Sequence, residues 1–417
     1  MFFLGANYRT EWSVPVRMPV FNLVKDPRGF KIQELGGGQQ TKSLDLVDRS
    51  GREWSLRSVD KDVEKALPKG LKSKLVRNLV QDLISASYPY GGLSVPALSQ
   101  ATNVYEGDQQ LYYVPNDPAF GQYQTVMANT VCLLVLKQPA GIDLEKSEEI
   151  LPKLESGNYV VDQEALLRAR LLDWVMGDWD RHEDQWRWTT RDSAGLKWFY
   201  PMPRDRDQVF FYSDGLLVQM LTRFFMPHVN GFDKRAHSIR RLGYKTRAFD
   251  LGFLNGLDRG KWVRVIREFQ QNLNDTVIER ALRQQPREIY EYSGRLITAK
   301  LKSRRDQLMS DALNYYEYLA KQVSIFASFR NDQVMIDQQG DQTIITIYNH
   351  AAKPVYHRAF DPKETKMVLV DGLEGNDRFL IEEPPEGIKL LLYGGKGEDV
   401  YPLQVYNAVR IKDEEEE

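Results

Sequence analysis

Residues 173–188 read DWVMGDWDRHEDQWRW, and within them the carboxylates of Asp178, Asp180, Glu183 and Asp184 crowd together with Arg181, His182 and Gln185. Further on, 203–210 read PRDRDQVF, placing Asp205 and Asp207 between Arg204 and Gln208. Carboxylates that converge from two such stretches supply what a divalent cation needs. Mg²⁺ prefers oxygen ligands and is commonly held by one or two carboxylates together with phosphates. A plainer reading stands beside this one: Arg181 and Arg206 adjoin the aspartates, and surface acid–base networks that merely brace a fold are common and worth little. His182 reads as an orienting hydrogen-bond partner, with a ligand role as the alternative. Trp174, Trp179, Trp186, Trp188 and Trp198 read as core packing beneath the loop, with a sugar-binding platform as the alternative.

These stretches need elements to hold them. A helix is expected over 163–176, with Asp162 as N-cap, Glu164 in the first turn and Gly177 just past the end. Residues 186–190 and 196–200 form a hairpin turning at 192–195, so the two acidic stretches flank it and can meet in space. Upstream, 30–35, 41–47 and 53–59 make an antiparallel meander whose first hairpin carries Gly36, Gly37 and Gly38. Apolar residues at 75, 76, 79, 80, 83 and 84 mark an amphipathic helix over 71–87, and 110–114 and 130–136 read as buried strands. The Pro- and aromatic-rich residues 1–29 read as extended. The pattern is mainly helical from 215 to 323 and has a period of two from about 330, with strands at 342–348, 366–370, 378–381 and 389–393.

The expected fold is therefore α+β: an antiparallel β lobe (30–140), a helical lobe (141–329), a small all-β domain (330–412, solenoid or sandwich) and an acidic tail (413–417). A net charge of −2 provides no global positive field for nucleic acid or anionic lipid. The basic stretch 234–247 reads as a solvated helix face, with phosphate binding as the alternative. Cys132 is the only cysteine, which excludes an internal disulfide and a cysteine-based metal site. No apolar run is long enough to span a bilayer, and the first residues, MFFLGANYRTEW, do not read as a signal peptide. His228, His237, His350 and His357 form no metallohydrolase motif, and no G-x-S-x-G elbow is present.

The order Asp180, Gln185, Trp186, hairpin, Asp205 resembles the protein-kinase-like superfamily, above all its atypical branches: type II phosphatidylinositol 4-kinases, CotH-like spore-coat kinases and Fam20-like secretory kinases. The resemblance covers roughly 30–230. It implies ATP and Mg²⁺ as cofactors, Asp180 as the catalytic base, and Gln185 at the position of the metal-binding Asn. Asp205 takes the second metal-binding position, with Asp207 as the alternative. Gly36, Gly37 and Gly38 stand where the phosphate-covering loop lies, because glycine lets backbone N–H groups approach phosphate oxygens. Arg57, with Lys61 nearby, stands for the phosphate-binding lysine, and Asp82 for its acidic partner on the following helix. Gln for Asn lengthens one ligand by a methylene, and Arg for Lys exchanges a point charge for a planar fork. These departures leave open an unusual kinase or a kinase-shaped scaffold. The implied partners are a nucleotide and a protein, lipid or glycan acceptor, with no nucleic acid.

In the C-terminal part, GLEGNDRF (372–379) is echoed by GGKGEDVY (394–401). This is similar to the Gly–Asp repeats of calcium-binding β-rolls, which implies Ca²⁺ as one option and tight turns in a β-solenoid or sandwich as the other. The phrases LGANYRTEW, GGGQQTKSL, RSVDKD and GDWDRHEDQWRW resemble a region of large bacterial envelope proteins, between a calcineurin-like phosphoesterase and an outer-membrane β-barrel. That resemblance implies a periplasmic or envelope location.

Overall fold

The computed structural model describes residues 7–36, 41–60, 84–213, 229, 231–236, 238–404 and 406–412. Gly37, Gly38, Lys61 and Asp82, and all but the last turn of the helix expected over 71–87, lie outside them.

Strands β1 (Lys31–Gly36), β2 (Ser43–Val47), β3 (Glu53–Ser58), β4 (Gln109–Val114) and β5 (Thr130–Gln138) form one antiparallel sheet in the order β1-β2-β3-β5-β4. Alternation along each strand gives the sheet two unlike faces. Leu44 and Leu46, Trp54 and Leu56, and Cys132 and Leu134 point into an apolar core with Phe21, Phe30 and Phe120. Ser43 and Asp45, Ser55 and Arg57, and Leu133, Val135 and Lys137 occupy the opposite face, which roofs a cleft. The described part of the N-terminal segment, 7–29, is not simply extended. A short helix α1 (Arg9–Ser13) lies there, and the Tyr8 hydroxyl donates to the Phe210 carbonyl at 2.7 Å, fastening the segment across the lobes.

The helical lobe is organised around α4 (Gln163–Met176), following α2 (Val95–Ala101) and α3 (Ser147–Leu154). The Asp162 carboxylate accepts from Ala165 N, and Gly177 closes the helix at φ +71°, in the left-handed region that suits glycine. Eleven of its last twelve residues are buried without regard to face, Arg168 being the exception, the mark of a helix central to a lobe. Its terminal carbonyls, on Trp174 and Val175, accept from Arg304 of α8 (Arg295–Ala320). The short helix α5 (Arg247–Phe253) stacks Phe249 against Trp186 at 5.2 Å, while α6 (Arg259–Asn272) and α7 (Asp275–Leu282) complete the packing. Trp174, Trp186 and Trp188 are fully buried, so their role is core.

β8 (Trp186–Ser193) and β9 (Leu196–Pro203) form the expected hairpin, closed by Ala194 and Gly195 at φ +53° and +74°. Two consecutive positive φ angles match the right-handed strand twist. Short strands β6 (Glu145–Lys146) and β7 (Tyr159–Val161) flank it.

Strand structure resumes at β10 (Gln322–Ser328), which overlaps the expected helical region only at 322–323 and begins ahead of the change of period expected near 330. The helix ends at Ala320 because QVSIFAS alternates, burying Val323 and Ile325. β10 pairs in parallel with β14 (Met367–Leu373), β14 with β16 (Lys389–Tyr393), and β16 with β17 (Val409–Lys412). A second sheet has the order β13-β12-β11-β15, from β11 (Gln333–Gln339), β12 (Gln342–Tyr348), β13 (Pro354–Phe360) and β15 (Arg378–Ile381).

The echoed Gly–Asp turns stack on one another. Asp332 N donates to Asp377 Oδ1 at 2.8 Å and Asp377 N to Asp399 Oδ1 at 2.7 Å, while Asn376 N donates to Asn331 Oδ1 and Glu398 N to Asn376 Oδ1, both at 3.0 Å. Gly394 is required because a Cβ there would lie 2.0 Å from Asp399 Oδ2. The repeat thus uses its aspartates to satisfy backbone N–H groups between layers.

Candidate active site between the lobes

A cleft of about 480 Å³ lies under the polar face of the β1–β5 sheet. Its lower wall is made by Asp184, Gln185, Arg187 and 203–207, at the two ends of the β8–β9 hairpin. The hairpin explains their meeting: Trp186 pairs with Pro203, so the residues just outside it are neighbours. Arg204 N donates to the Gln185 carbonyl at 2.8 Å, and Arg181 Nη1 donates to the Arg204 carbonyl.

Arg57, Gln185, Asp205 and Asp207 all line this cleft. Arg57 Nη1 donates to Asp205 Oδ1 at 2.7 Å, joining the sheet to the hairpin end across 148 residues of chain. Burial works against the Arg57 charge, but Asp205 and then Asp207 outweigh it and raise the guanidinium's pKa above its usual value. Asp205 stands at φ +59°, a left-handed conformation that Asp tolerates better than most residues. Gln185 is 7% exposed, and its Oε1 is buried with no hydrogen-bond partner. An orphaned acceptor of this kind costs about 1–3 kcal/mol, which a cation or a donor in the cleft would offset.

Gly36 ends β1 beside Asp45: a Cβ there would lie 2.9 Å from Asp45 Oδ1. Asp45 in turn accepts from Lys137 Nζ at 2.6 Å. Asp180 is not among the residues lining the cleft. Its carboxylate pairs with Lys245 Nζ at 2.6 Å, so the basic stretch 234–247 delivers a lysine to the acidic loop instead of forming only a solvated face. His182 Nδ1 is 3.6 Å from the Asp184 carboxylate.

The arginines beside the aspartates are not at the surface. Arg181 and Arg206 are 1% and 3% exposed. Asp173 accepts from Arg206 Nε at 3.0 Å and pairs with Arg170 and Arg181, Asp178 accepts from Arg181 Nη2 at 2.7 Å, and Arg206 Nη1 reaches Glu106 at 2.6 Å. Arg170 continues the network to Asp250, where the Tyr315 hydroxyl also donates. Burial raises the Asp173 carboxyl, but Arg181, Arg206 and Arg170 together overcome it and hold the group ionised below the usual range. Asp178 is pushed up to about 7, chiefly by burial, with Arg181 opposing and Asp173 reinforcing. Only the hydrophobic spacing of α4 hinted that residues at 170 and 173 face inward.

Cleft residues that motif reasoning missed include Asp45, Glu106, Lys137 and Arg204. The period of two would have found Asp45, which shares a face with Arg57. Nothing in the local sequence marks Glu106, brought in by its ion pair with Arg206. Arg204 Nη2 donates to the Lys137 carbonyl at 2.7 Å, tying the hairpin end to the C-terminal end of β5.

No known protein family and no curated protein matches the chain. Solved structures similar to the chain include two kinases and a toxin–antitoxin complex. The Helicobacter pylori proinflammatory kinase CtkA has a TM-score of 0.36 at 8% identity, covering 66% of this chain and 95% of that one. The Golgi casein kinase has 0.34 at 8% identity, covering 72% and 73%. The HipA–HipB toxin–antitoxin complex of Shewanella oneidensis MR-1 with its operator DNA has 0.33 at 12% identity, covering 73% and 71%.

Among the described residues no group of three or more His, Cys, Asp or Glu is placed to hold a metal ion. A metal in the cleft would therefore rest on Asp205, Asp207 and the Gln185 amide oxygen, with further oxygens from its ligand. That mixed donor set suits Mg²⁺.

Proposed function

We propose that this chain is an atypical kinase-like domain that binds ATP with Mg²⁺ in the interlobe cleft and transfers phosphate to an acceptor. The observation that carries the reading is the meeting of Arg57, Asp205 and Gln185 in one cleft, with Gln185 Oε1 buried and unpartnered. When bound, MgATP supplies the phosphoryl group. Asp205, Asp207 and Gln185 would hold the metal, and Arg57, paired with Asp205, would supply positive charge for the phosphates. Gly36 would help to cover the phosphates; Gly37, Gly38, Lys61 and Asp82, to which the resemblance gives the rest of the phosphate-binding role, lie outside the described residues. Asp180 orients the acceptor hydroxyl and takes its proton, with Lys245 keeping that carboxylate in place. Catalysis of this type is almost entirely positioning and electrostatics. The envelope location rests on the resemblance of four sequence phrases.

A thermal-shift titration tests the binding claim. MgATP is expected to raise the melting temperature of the unaltered chain, and Asp205→Ala to abolish that rise without lowering the ligand-free melting temperature by more than a few degrees. No rise in the unaltered chain overturns the reading.

A scaffold without phosphotransfer is the second reading. The pairing of Asp180 with Lys245, away from the cleft, favours it. Labelled ATP separates the two: transfer to the chain or to an added acceptor, lost in Asp180→Asn, belongs to the kinase, and nucleotide binding without transfer to the scaffold.

A further inference from the structure

A second and larger cleft, about 1070 Å³, lies between the helical lobe and the C-terminal sheets. We infer that it is a docking groove for an extended, basic polypeptide segment. Three observations point to that occupant. Six carboxylates line the groove, Glu148, Glu155, Glu183 and Asp184 among them, against two lysines, Lys146 and Lys261. The charge is therefore complementary to Lys- or Arg-rich chains. Its C-terminal wall is formed by β10 and β13, and each is the terminal strand of its sheet. A terminal strand offers main-chain hydrogen-bonding groups to an incoming extended chain; on β10 the Ser324 carbonyl accepts from Asn255 Nδ2 at 2.9 Å and Ser328 N donates to Asp332 Oδ2 at 2.7 Å, so an incoming chain would pair with the stretch between them. Finally, Phe326 on β10 stands 55% exposed in the groove, an apolar anchor between those two tied positions.

Asp184 lines both this groove and the interlobe cleft. A segment lying along β10 would therefore lead toward the loop that carries Asp180. As the seat of a phosphate acceptor the groove rests on the kinase-like reading; as a peptide site it does not.

The test uses the full chain without nucleotide and a fluorescein-labelled ten-residue peptide alternating Lys with Val and Ser, followed by anisotropy. The lysine peptide is expected to bind at least about tenfold more tightly than its glutamate counterpart, a difference of about 1.4 kcal/mol. Phe326→Ser and Glu155→Lys are each expected to weaken binding at least about fivefold while leaving MgATP affinity unchanged. Equal affinity for both peptides, or unchanged affinity in both variants, overturns the proposal. So does quenching of the groove-lining Trp198 by a neutral hexasaccharide that the lysine peptide fails to compete away, since the groove would then take glycans. Loss of MgATP binding with peptide binding intact would sink the cleft reading and leave the groove standing.

Discussion

Replacing Arg206 with Met tests whether the buried network holds the two lobes together. Its guanidinium donates to Asp173 at 3.0 Å and to Glu106 at 2.6 Å, and the side chain is fully buried. Methionine fills a similar volume but leaves Glu106, among the described residues, with the Gln109 amide at 3.2 Å as its remaining side-chain donor. Asp173 keeps Arg170 and Arg181. Breaking a buried pair by removing one partner costs about 3–5 kcal/mol. Arg57→Met is the control. It removes the Arg57–Asp205 pair, whose side chains are 29% and 36% exposed, so its cost in stability is under about 1 kcal/mol. Urea unfolding followed by tryptophan fluorescence reads both, because Trp174, Trp186 and Trp188 are buried in the lobe concerned. A chain of this size need not unfold in one step, so the midpoint of that lobe's transition is the quantity compared. Adding Glu106→Gln to Arg206→Met should recover part of the loss, since it removes the stranded charge. An Arg206→Met variant within about 1 kcal/mol of the unaltered chain, or an Arg57→Met variant equally destabilised, would refute the reasoning.

Other expectations follow from single groups. Asp178 keeps its proton in the fold up to about pH 7, because burial disfavours its charge, whereas the unfolded chain loses that proton near pH 4. Between those values the native state binds the extra proton, so this group makes stability fall as pH rises, by at most about 1.4 kcal/mol per pH unit. Asp178→Asn should flatten that slope between pH 4 and 7 in urea titrations; an unchanged slope means the carboxyl is ionised in the fold. Gln185→Met removes an orphaned acceptor while keeping its shape, so thermal stability should stay within about 1 kcal/mol or rise, while Mg²⁺-dependent nucleotide affinity falls at least about tenfold. A marked loss of stability would give the amide a structural role. Gly394→Ala forces a Cβ against Asp399 Oδ2 and the Tyr401 hydroxyl, at 2.0 and 2.2 Å. It should destabilise the C-terminal sheets by about 1–3 kcal/mol, and hydrogen exchange confined to 367–412 would locate the effect.

The parts of the fold legible in the sequence are those set by local rules. The meander, the β8–β9 hairpin and α4 with Asp162 and Gly177 at its ends each carry their signal within a few residues. β10 escaped because its seven residues follow a 26-residue helix without a breaking Gly or Pro between them. In the cleft, Arg57 and Asp205 could be named from motif order, but their 2.7 Å bond depends on a sheet and a hairpin end separated by 148 residues. The burial of Arg181 and Arg206 was illegible for a related reason. A charged residue in a loop reads as solvated unless its partners are known, and these partners come from α4 and from Glu106. The Gly–Asp echo was visible as a repeat, whereas the use of its aspartates as caps for backbone N–H groups emerges only from the stacking.

Calorimetric titration of the full chain with ATP, in the presence of Mg²⁺ and then of a chelator, examines the interlobe cleft directly. One binding site per chain is expected with Mg²⁺, with affinity falling at least about tenfold under chelation and in Asp205→Ala. Absence of binding heat and of any nucleotide-dependent protection in the presence of Mg²⁺ would contradict a nucleotide site at Arg57, Gln185 and Asp205.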